Sequence, residues 1–291
     1  MPIQKVLIVA KKSAYQTYFN EYQERPLRTL VRKGDKALLR IRSSHNTHYE
    51  TLSYVKSVLK KKRIPTHVCF RGEFFNPEKY DLVISVGGDG SFLEASHPLK
   101  AQRLLGVNSD KRHSVGNFCA ADRRNFEKNF DRILCGNYQI KKLNRLSVRL
   151  NGKPLGFFVL NDLLVSHACP AGMSHYILKI GARKEHQRSS GVWVATAAGS
   201  SGAAHSAGGK LLPETSKKIQ YIPRELFRGY GQRYRLTGGI LPEGTVLSII
   251  SQMQEGMLYL DGAHHSMPFE YGDEVKISNG PPLEAVSFTH D

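Results

Sequence analysis

Apolar and polar positions divide the chain into two textures. In the first, short apolar runs of strand length alternate with segments of helical period. Residues 5–10, 66–70, 82–86 and 104–107 read as strands, whereas Tyr49, Leu52, Val55, Val58 and Leu59 recur at helical spacing. Thr47-His48-Tyr49-Glu50 fits a capping box, so that helix is expected to begin there. Ile64-Pro65 should end it near Arg63, because the residue before a proline disfavours helical geometry. A further helix is expected over 123–134, closed by Gly136. Strands alternating with helices imply a parallel sheet whose ligands lie at the strands' C-terminal ends. From Tyr138 to about Pro282 the texture changes to short β-like runs separated by Gly, Pro and Asn, over 146–150, 156–164, 176–180, 192–196, 245–250, 257–260 and 274–277. That pattern predicts an all-β second half, sandwich-like rather than helical.

Two stretches carry chemistry. The run Leu82 to Val86 breaks into Gly87-Gly88-Asp89-Gly90-Ser91, followed by a segment, 92–97, that can turn helical. Strand, glycine turn and helix present backbone N–H groups to a phosphate, and glycines let the backbone approach with no Cβ in the way. A carboxylate held among phosphates serves a metal ion, a ribose hydroxyl or a proton transfer; the same residues also make a plain strand-end turn. The second stretch runs from Arg188-Ser189-Ser190-Gly191 through Thr196-Ala197-Ala198-Gly199-Ser200-Ser201-Gly202-Ala203 to Ser206-Ala207-Gly208-Gly209. Its small residues admit a flat ligand and offer hydroxyl and backbone hydrogen bonds, although a flexible loop has the same composition. It is neither a Walker A sequence nor a nucleophile elbow, since the glycines each requires are replaced (Ala204 for the first).

Gly87-Gly88-Asp89-Gly90-Ser91 resembles the GGDG[TS] motif shared by NAD kinases and the diacylglycerol and sphingosine kinases. The second stretch resembles the TPTGSTAYxxSAGG motif of the NAD kinase family: Thr196, Gly199, Ser200, Ser206, Ala207, Gly208 and Gly209 coincide, and Ser201 stands where the family has Thr. The family's other marks follow in order: Asn108-Ser109 as its asparagine turn, Asn161-Asp162 as its N-[ED] pair and Asp261-Gly262 as its late DG. Taken alone, Asn161-Asp162 also reads as a β-turn and Asp261-Gly262 as a hairpin turn. Asn108-Ser109-Asp110, Arg188-Ser189-Ser190-Gly191 and Thr196-Ala197-Ala198-Gly199-Ser200 look closest to the branch containing plant-type NADH kinases. The lipid kinases share the glycine turn but not the Ser/Gly/Ala stretch.

The resemblance implies an α/β plus all-β fold: a Rossmann-like open parallel sheet over 1–140, and a β-sandwich-like, dinucleotide-binding domain over 141–282. The tail 283–291 is free to return to the first domain. It implies an NAD(H) kinase that phosphorylates the 2′-hydroxyl of the adenosine ribose, with the dinucleotide between the domains. ATP with Mg²⁺ or another divalent cation would sit by Gly87, Gly88, Gly90 and Ser91, and Asp89 would align the hydroxyl and take its proton. Asn108, Asn161, Asp162, Arg188, Ser190, Thr196, Ala198, Gly199, Ser200, Ser201, Gly202, Ala203, Ser206, Asp261 and Gly262 carry over as dinucleotide ligands. No protein metal site is implied. Two departures concern the dinucleotide pocket: the family's Asp is Ser190 here, and its Tyr is Ala203. Ser190 is therefore expected to leave the pocket without the carboxylate that favours the cationic, oxidised ring. The alternatives are a lipid or other small-molecule kinase on the same scaffold, or a dinucleotide- or nucleic-acid-binding protein without turnover.

Composition narrows the setting. The 291 residues contain 40% hydrophobic ones, with no apolar run of membrane-spanning length, so no membrane partner is expected. Lysines follow the first apolar run, the wrong order for a secretory signal. Cys69, Cys119, Cys135 and Cys169 show no paired spacing and read as reduced thiols of a cytoplasmic protein. The net charge is +17, and residues 1–63 hold 15 Lys and Arg against four Asp and Glu. No nucleic-acid motif accompanies that charge, so it is expected to steer anionic substrates rather than bind a specific nucleic acid. A homodimer or homotetramer is the expected assembly.

Overall fold

Five parallel strands and the helices between them make up the first of two units in the computed structural model, which describes residues 3–21 and 36–289. This unit comprises the chain up to Lys141 together with the chain end from Glu284; the second comprises Lys142–Leu283. Part of the basic N-terminal stretch, residues 22–35, lies outside the described residues.

The first unit runs β1 (Val6–Ala10), α1 (Lys36–Lys61), β2 (Thr66–Phe70), β3 (Leu82–Gly87), α2 (Asp89–Ser96), β4 (Arg103–Asn108), β5 (Cys119–Asp122) and α3 (Phe126–Leu134). Strand order is β2-β1-β3-β4, all parallel, with Val6 opposite both Thr66 and Leu82, and Val83 opposite Leu104. On its other side β4 takes β5 at Gly106 to Asn108, and Glu284 and Ala285 of the last strand at Arg103 and Leu104. β1 and β3 are buried along their whole length, which is why they read as unbroken apolar runs. Leu52, Val55, Val58 and Leu59 of α1 join Val6, Ile8, Ile84 and Leu105 in one core. The helix does not begin at the capping box. It runs on from Lys36, and Thr47 Oγ1 donates to the carbonyl of Ser43 one turn earlier (3.0 Å), as a mid-helix threonine does.

The second unit is antiparallel throughout and holds two sheets. Its strands are β6 (Gln139–Leu150), β7 (Lys153–Val159), β8 (Asp162–His167), β9 (Ser174–Ile180), β10 (Arg183–Ser189), β11 (Val192–Ala195), β12 (Ile219–Pro223), β13 (Gly239–Leu241), β14 (Leu247–Ser251), β15 (Gly256–Leu260), β16 (His265–Pro268) and β17 (Glu274–Ser287). One sheet has the order β10-β9-β14-β17, with β6 joining β17 to β7; the other has the order β13-β12-β11-β8-β15-β16. Leu146, Leu178, Ile249 and Val275 from the first share a core with Leu163, Val165, Val194 and Leu258 from the second, the arrangement of a sandwich. The apolar run 156–164 is not one strand: it breaks at Leu160-Asn161, and the break builds part of the site described next. No helix among the described residues is long and apolar enough to cross a membrane, and all four cysteines are unpaired.

Candidate functional site

In the first unit the chemistry gathers at the C-terminal ends of the parallel strands. β3 passes directly into α2: Gly88 is the N-cap residue, and Asp89 is the first helical residue. Ser91 N and Phe92 N bond back to Gly88 O at 3.0 and 3.2 Å, which leaves the N–H groups of Asp89 and Gly90 to face an anion. A Cβ on Gly87 would lie 2.1 Å from Ser91 Oγ, and one on Gly88 2.1 Å from Ser114 Oγ. Gly90 is different: a Cβ there meets nothing closer than Arg71 Nη1 at 3.6 Å. Ser91 Oγ is buried and makes no hydrogen bond among the described residues. Asp89 Oδ1 accepts from Phe118 N at 2.9 Å, and its other oxygen has no partner among them. The carboxylate is thus held at one oxygen and available at the other.

Three residues here were missed in the sequence. Lys11 follows β1 and reaches the turn, its Cδ 3.8 Å from where a Gly87 Cβ would be. Burial pushes its pKa below the usual lysine value; the Arg71 charge acts the same way and Asp110 opposes it. Arg71 follows β2, and its Nε bonds Glu94 of α2 at 2.5 Å. His48 is buried, and its pKa is pushed down to about 4 by that burial and by Lys11. Neutral, it donates from Nε2 to Lys11 O (2.9 Å) and accepts at Nδ1 from Ser109 Oγ (2.8 Å). The available signal was position: Lys11 and Arg71 each stand one residue past an apolar strand, at the edge where a parallel sheet binds ligands. Asn108 is spent on its own loop, donating to Ser114 O (3.1 Å) and Val115 O (3.4 Å) and accepting from Asp110 N (3.0 Å).

In the second unit the structure brings Asn161, Asp162, Thr196, Gly199 and Asp261 together. Asp261, at φ 50°, takes Leu160 N on Oδ2 (2.8 Å) and Asn161 N and Asp162 N on Oδ1 (2.6 and 3.1 Å). Thr196 holds the same corner from the other side: its Oγ1 donates to Leu160 O (2.5 Å) and accepts from Gly199 N (3.1 Å). A Cβ on Gly199 would lie 2.3 Å from Asn161 O, a backbone atom that cannot yield. The corner holds two buried polar groups with bonding capacity to spare. Asn161 Oδ1 is buried with no hydrogen bond among the described residues, and Asp162 has its pKa pushed up to about 7 by burial and by the Asp261 charge. Gly202 lies over Asp162, a Cβ there falling 3.9 Å from Oδ2. Ser200 is tied to Leu212 N at 3.0 Å and Ala198 is buried, whereas Ser201, Gly202, Ala203 and Ser206 are exposed.

Ser190 and Gly262 line a neighbouring cleft of about 340 Å³ with Trp193, Arg224, Glu225 and Tyr259. Arg188 is not part of this lining; it lies exposed on the edge strand β10. Ser190 Oγ donates a short hydrogen bond to the Glu225 carboxylate, so this cleft is lined by a carboxylate although position 190 carries none.

No protein-family model matches the chain. It is similar to the probable NADH kinase of Oryza sativa subsp. japonica, 35% identical over 320 residues that cover 98% of this chain and 97% of the relative. The NADH kinase of Arabidopsis thaliana is 32% identical over 291 residues, 89% of each chain. In fold the chain is similar to the NAD kinase of Archaeoglobus fulgidus crystallised with ATP, with TM-score 0.67 and 21% identity over 98% of this chain and 94% of that one. It is likewise similar to yeast NADH kinase complexed with NADH, with TM-score 0.68 and 16% identity over 99% and 85%.

Proposed function

The chain belongs to the NAD kinase family, and on that premise we propose that it transfers the terminal phosphoryl group of ATP to the 2′-hydroxyl of the adenosine ribose of NAD(H). The observation that carries this reading is the Asp89 carboxylate, fixed through one oxygen at the start of a helix among glycines. Phosphoryl transfer needs positioning and charge neutralisation more than covalent chemistry from the protein. The ribose oxygen attacks the γ-phosphorus, the bond to the β–γ bridging oxygen breaks, ADP leaves, and Asp89 accepts the hydroxyl proton. The N–H groups of Asp89 and Gly90, with Lys11 and Arg71, take the phosphates. Mg²⁺ or another divalent cation enters with ATP.

Asn161 and Asp162 are assigned to the dinucleotide's hydroxyl and amide groups, with the exposed edge of Ser201, Gly202, Ala203 and Ser206 beside them. The cleft lined by Trp193 and Tyr259 is assigned to the nicotinamide: its lining offers two aromatic side chains, and its volume of about 340 Å³ admits the ring with its carboxamide. Unpaired thiols fit a reducing, cytoplasmic setting. The homodimer or homotetramer implied by the family is read by light scattering. The direct test of function is NADP(H) formation from purified protein, ATP, Mg²⁺ and either NAD⁺ or NADH. Phosphorylation of a lipid instead of either dinucleotide would overturn the reading.

Two outcomes follow from charged groups at the site. Lys11→Met removes a charge-assisted contact to phosphate, worth ~1.5–3 kcal/mol. The kcat/KM for ATP should fall by about 10–150-fold, with the KM for dinucleotide little changed. An unaltered kcat/KM for ATP places Lys11 outside the donor site. Asp162 gives a pH dependence. Its folded pKa of about 7 lies above the ordinary carboxyl value, so the folded state holds an extra proton between roughly pH 4 and 7. Stability from this group is complete below that window and lost as pH rises through it. Between pH 5 and 7 the Tm of the unliganded protein should fall more steeply than that of Asp162→Asn, and parallel curves would exclude the shift.

A further inference from the structure

We propose that Glu225, held in place by Ser190, is the residue that sets the preference between oxidised and reduced dinucleotide. The inference rests on the assignment of the Trp193–Tyr259 cleft to the nicotinamide. The family carries a carboxylate at the position of Ser190, and here the hydroxyl of Ser190 instead donates to the Glu225 carboxylate from across the cleft. Glu225, 35 positions further along the sequence, thus places a carboxylate at the cleft beside a residue that carries none.

The backbone fixes this pair. Ser190 N donates to Arg224 O at 3.0 Å, and Arg224 N donates to Gly191 O at 2.8 Å, clipping the turn between β10 and β11 to the residues just after β12. The turn itself requires glycine at 191, where φ is 109° and a Cβ would lie 2.4 Å from Val165 O. Glu225 has φ 47°, a conformation that side-chain-bearing residues seldom adopt and that persists where surrounding contacts impose it. Glu225 therefore occupies a braced position at the cleft wall, and its partner there is the residue that replaces the family's acid. Arg224 lines the same cleft, and its charge opposes that of Glu225.

The oxidised nicotinamide ring is cationic and the reduced ring neutral, so a carboxylate beside it favours the oxidised form. At a dielectric close to that of water, which an open cleft approaches, a charge about 4 Å away changes relative affinity about fivefold, and somewhat more as the dielectric falls. The quantity to measure is the ratio of kcat/KM for NADH to kcat/KM for NAD⁺. Glu225→Gln should raise it about five- to tenfold. Ser190→Asp in the Glu225→Gln background returns a carboxylate to the family's position and should bring the ratio back to the wild-type value. An unchanged ratio in Glu225→Gln, with Trp193→Ala raising the KM for both dinucleotides, overturns the role of Glu225 and leaves the ring in the cleft. If Trp193→Ala also moves neither KM, the inference falls because the ring binds elsewhere, and the kinase reading stands on wild-type turnover. Should wild type turn over neither dinucleotide, that reading fails, and the ratio of Kd values for NADH and NAD⁺ in the same variants tests Glu225 independently.

Discussion

Asp89→Asn is expected to lower kcat by ~10²–10⁴-fold, the usual contribution of a positioned general base, while the Kd for dinucleotide stays within a few-fold of wild type. The structure makes this a clean substitution. Asparagine keeps an acceptor oxygen for Phe118 N, which Asp89 Oδ1 now binds at 2.9 Å, so the start of α2 retains its geometry. The amide differs only on the other side, where it cannot take a proton. Gly87 and Gly88 are packed against Ser91 and Ser114, so the turn has little freedom to rearrange around the new side chain. Loss of kcat with preserved Tm and preserved dinucleotide binding is the expected combination. Near-normal kcat would show that Asp89 takes no part in the chemistry.

What the sequence reveals is local, and what it hides is long-range. The passage of β3 into Gly87-Gly88-Asp89 is legible because strand, turn and helix start are consecutive, and a fully buried strand leaves an unbroken apolar run. β10 is illegible for the opposite reason: Arg-Lys-Glu-His-Gln-Arg-Ser has no alternation, and the segment is a strand because it pairs with β9 along its length. The capping box misleads because Thr47 has a second way to satisfy its hydroxyl, through the preceding turn. Lys11 and Arg71 join the glycine turn only once the sheet order β2-β1-β3 is known. The Ser190–Glu225 pair needs the clip between the β10–β11 turn and the end of β12, so position 190 read alone does not show the carboxylate beside it. The break at Leu160-Asn161 is the sharpest case: Asn161-Asp162 offers a turn, but the carboxylate that fixes it there stands about 100 positions away.

That carboxylate is the subject of the second large effect. Asp261→Asn is expected to raise the KM for dinucleotide at least ~10-fold and to lower stability by about 2–3 kcal/mol. Three consecutive N–H groups, those of Leu160, Asn161 and Asp162, converge on the two oxygens of Asp261. Asparagine keeps one acceptor and turns the other into an NH₂ group facing a donor, leaving at least one N–H of the corner unpaired and repelled. The corner orients Asn161 and Asp162 and supports Gly199, whose missing side chain is required by contact with Asn161 O. Loosening it therefore acts on dinucleotide binding before it acts on the phosphoryl donor, and the KM for ATP should change little. A further readout separates this positioning role from direct contact with substrate. The Asp261 charge is one of the two causes that raise the pKa of Asp162, so removing it should make the loss of stability between roughly pH 4 and 7 smaller and end it at lower pH. A raised KM with Tm and pH profile both unchanged would mean that Asp261 binds the dinucleotide itself, and the corner would then owe its shape to Thr196 and Gly199.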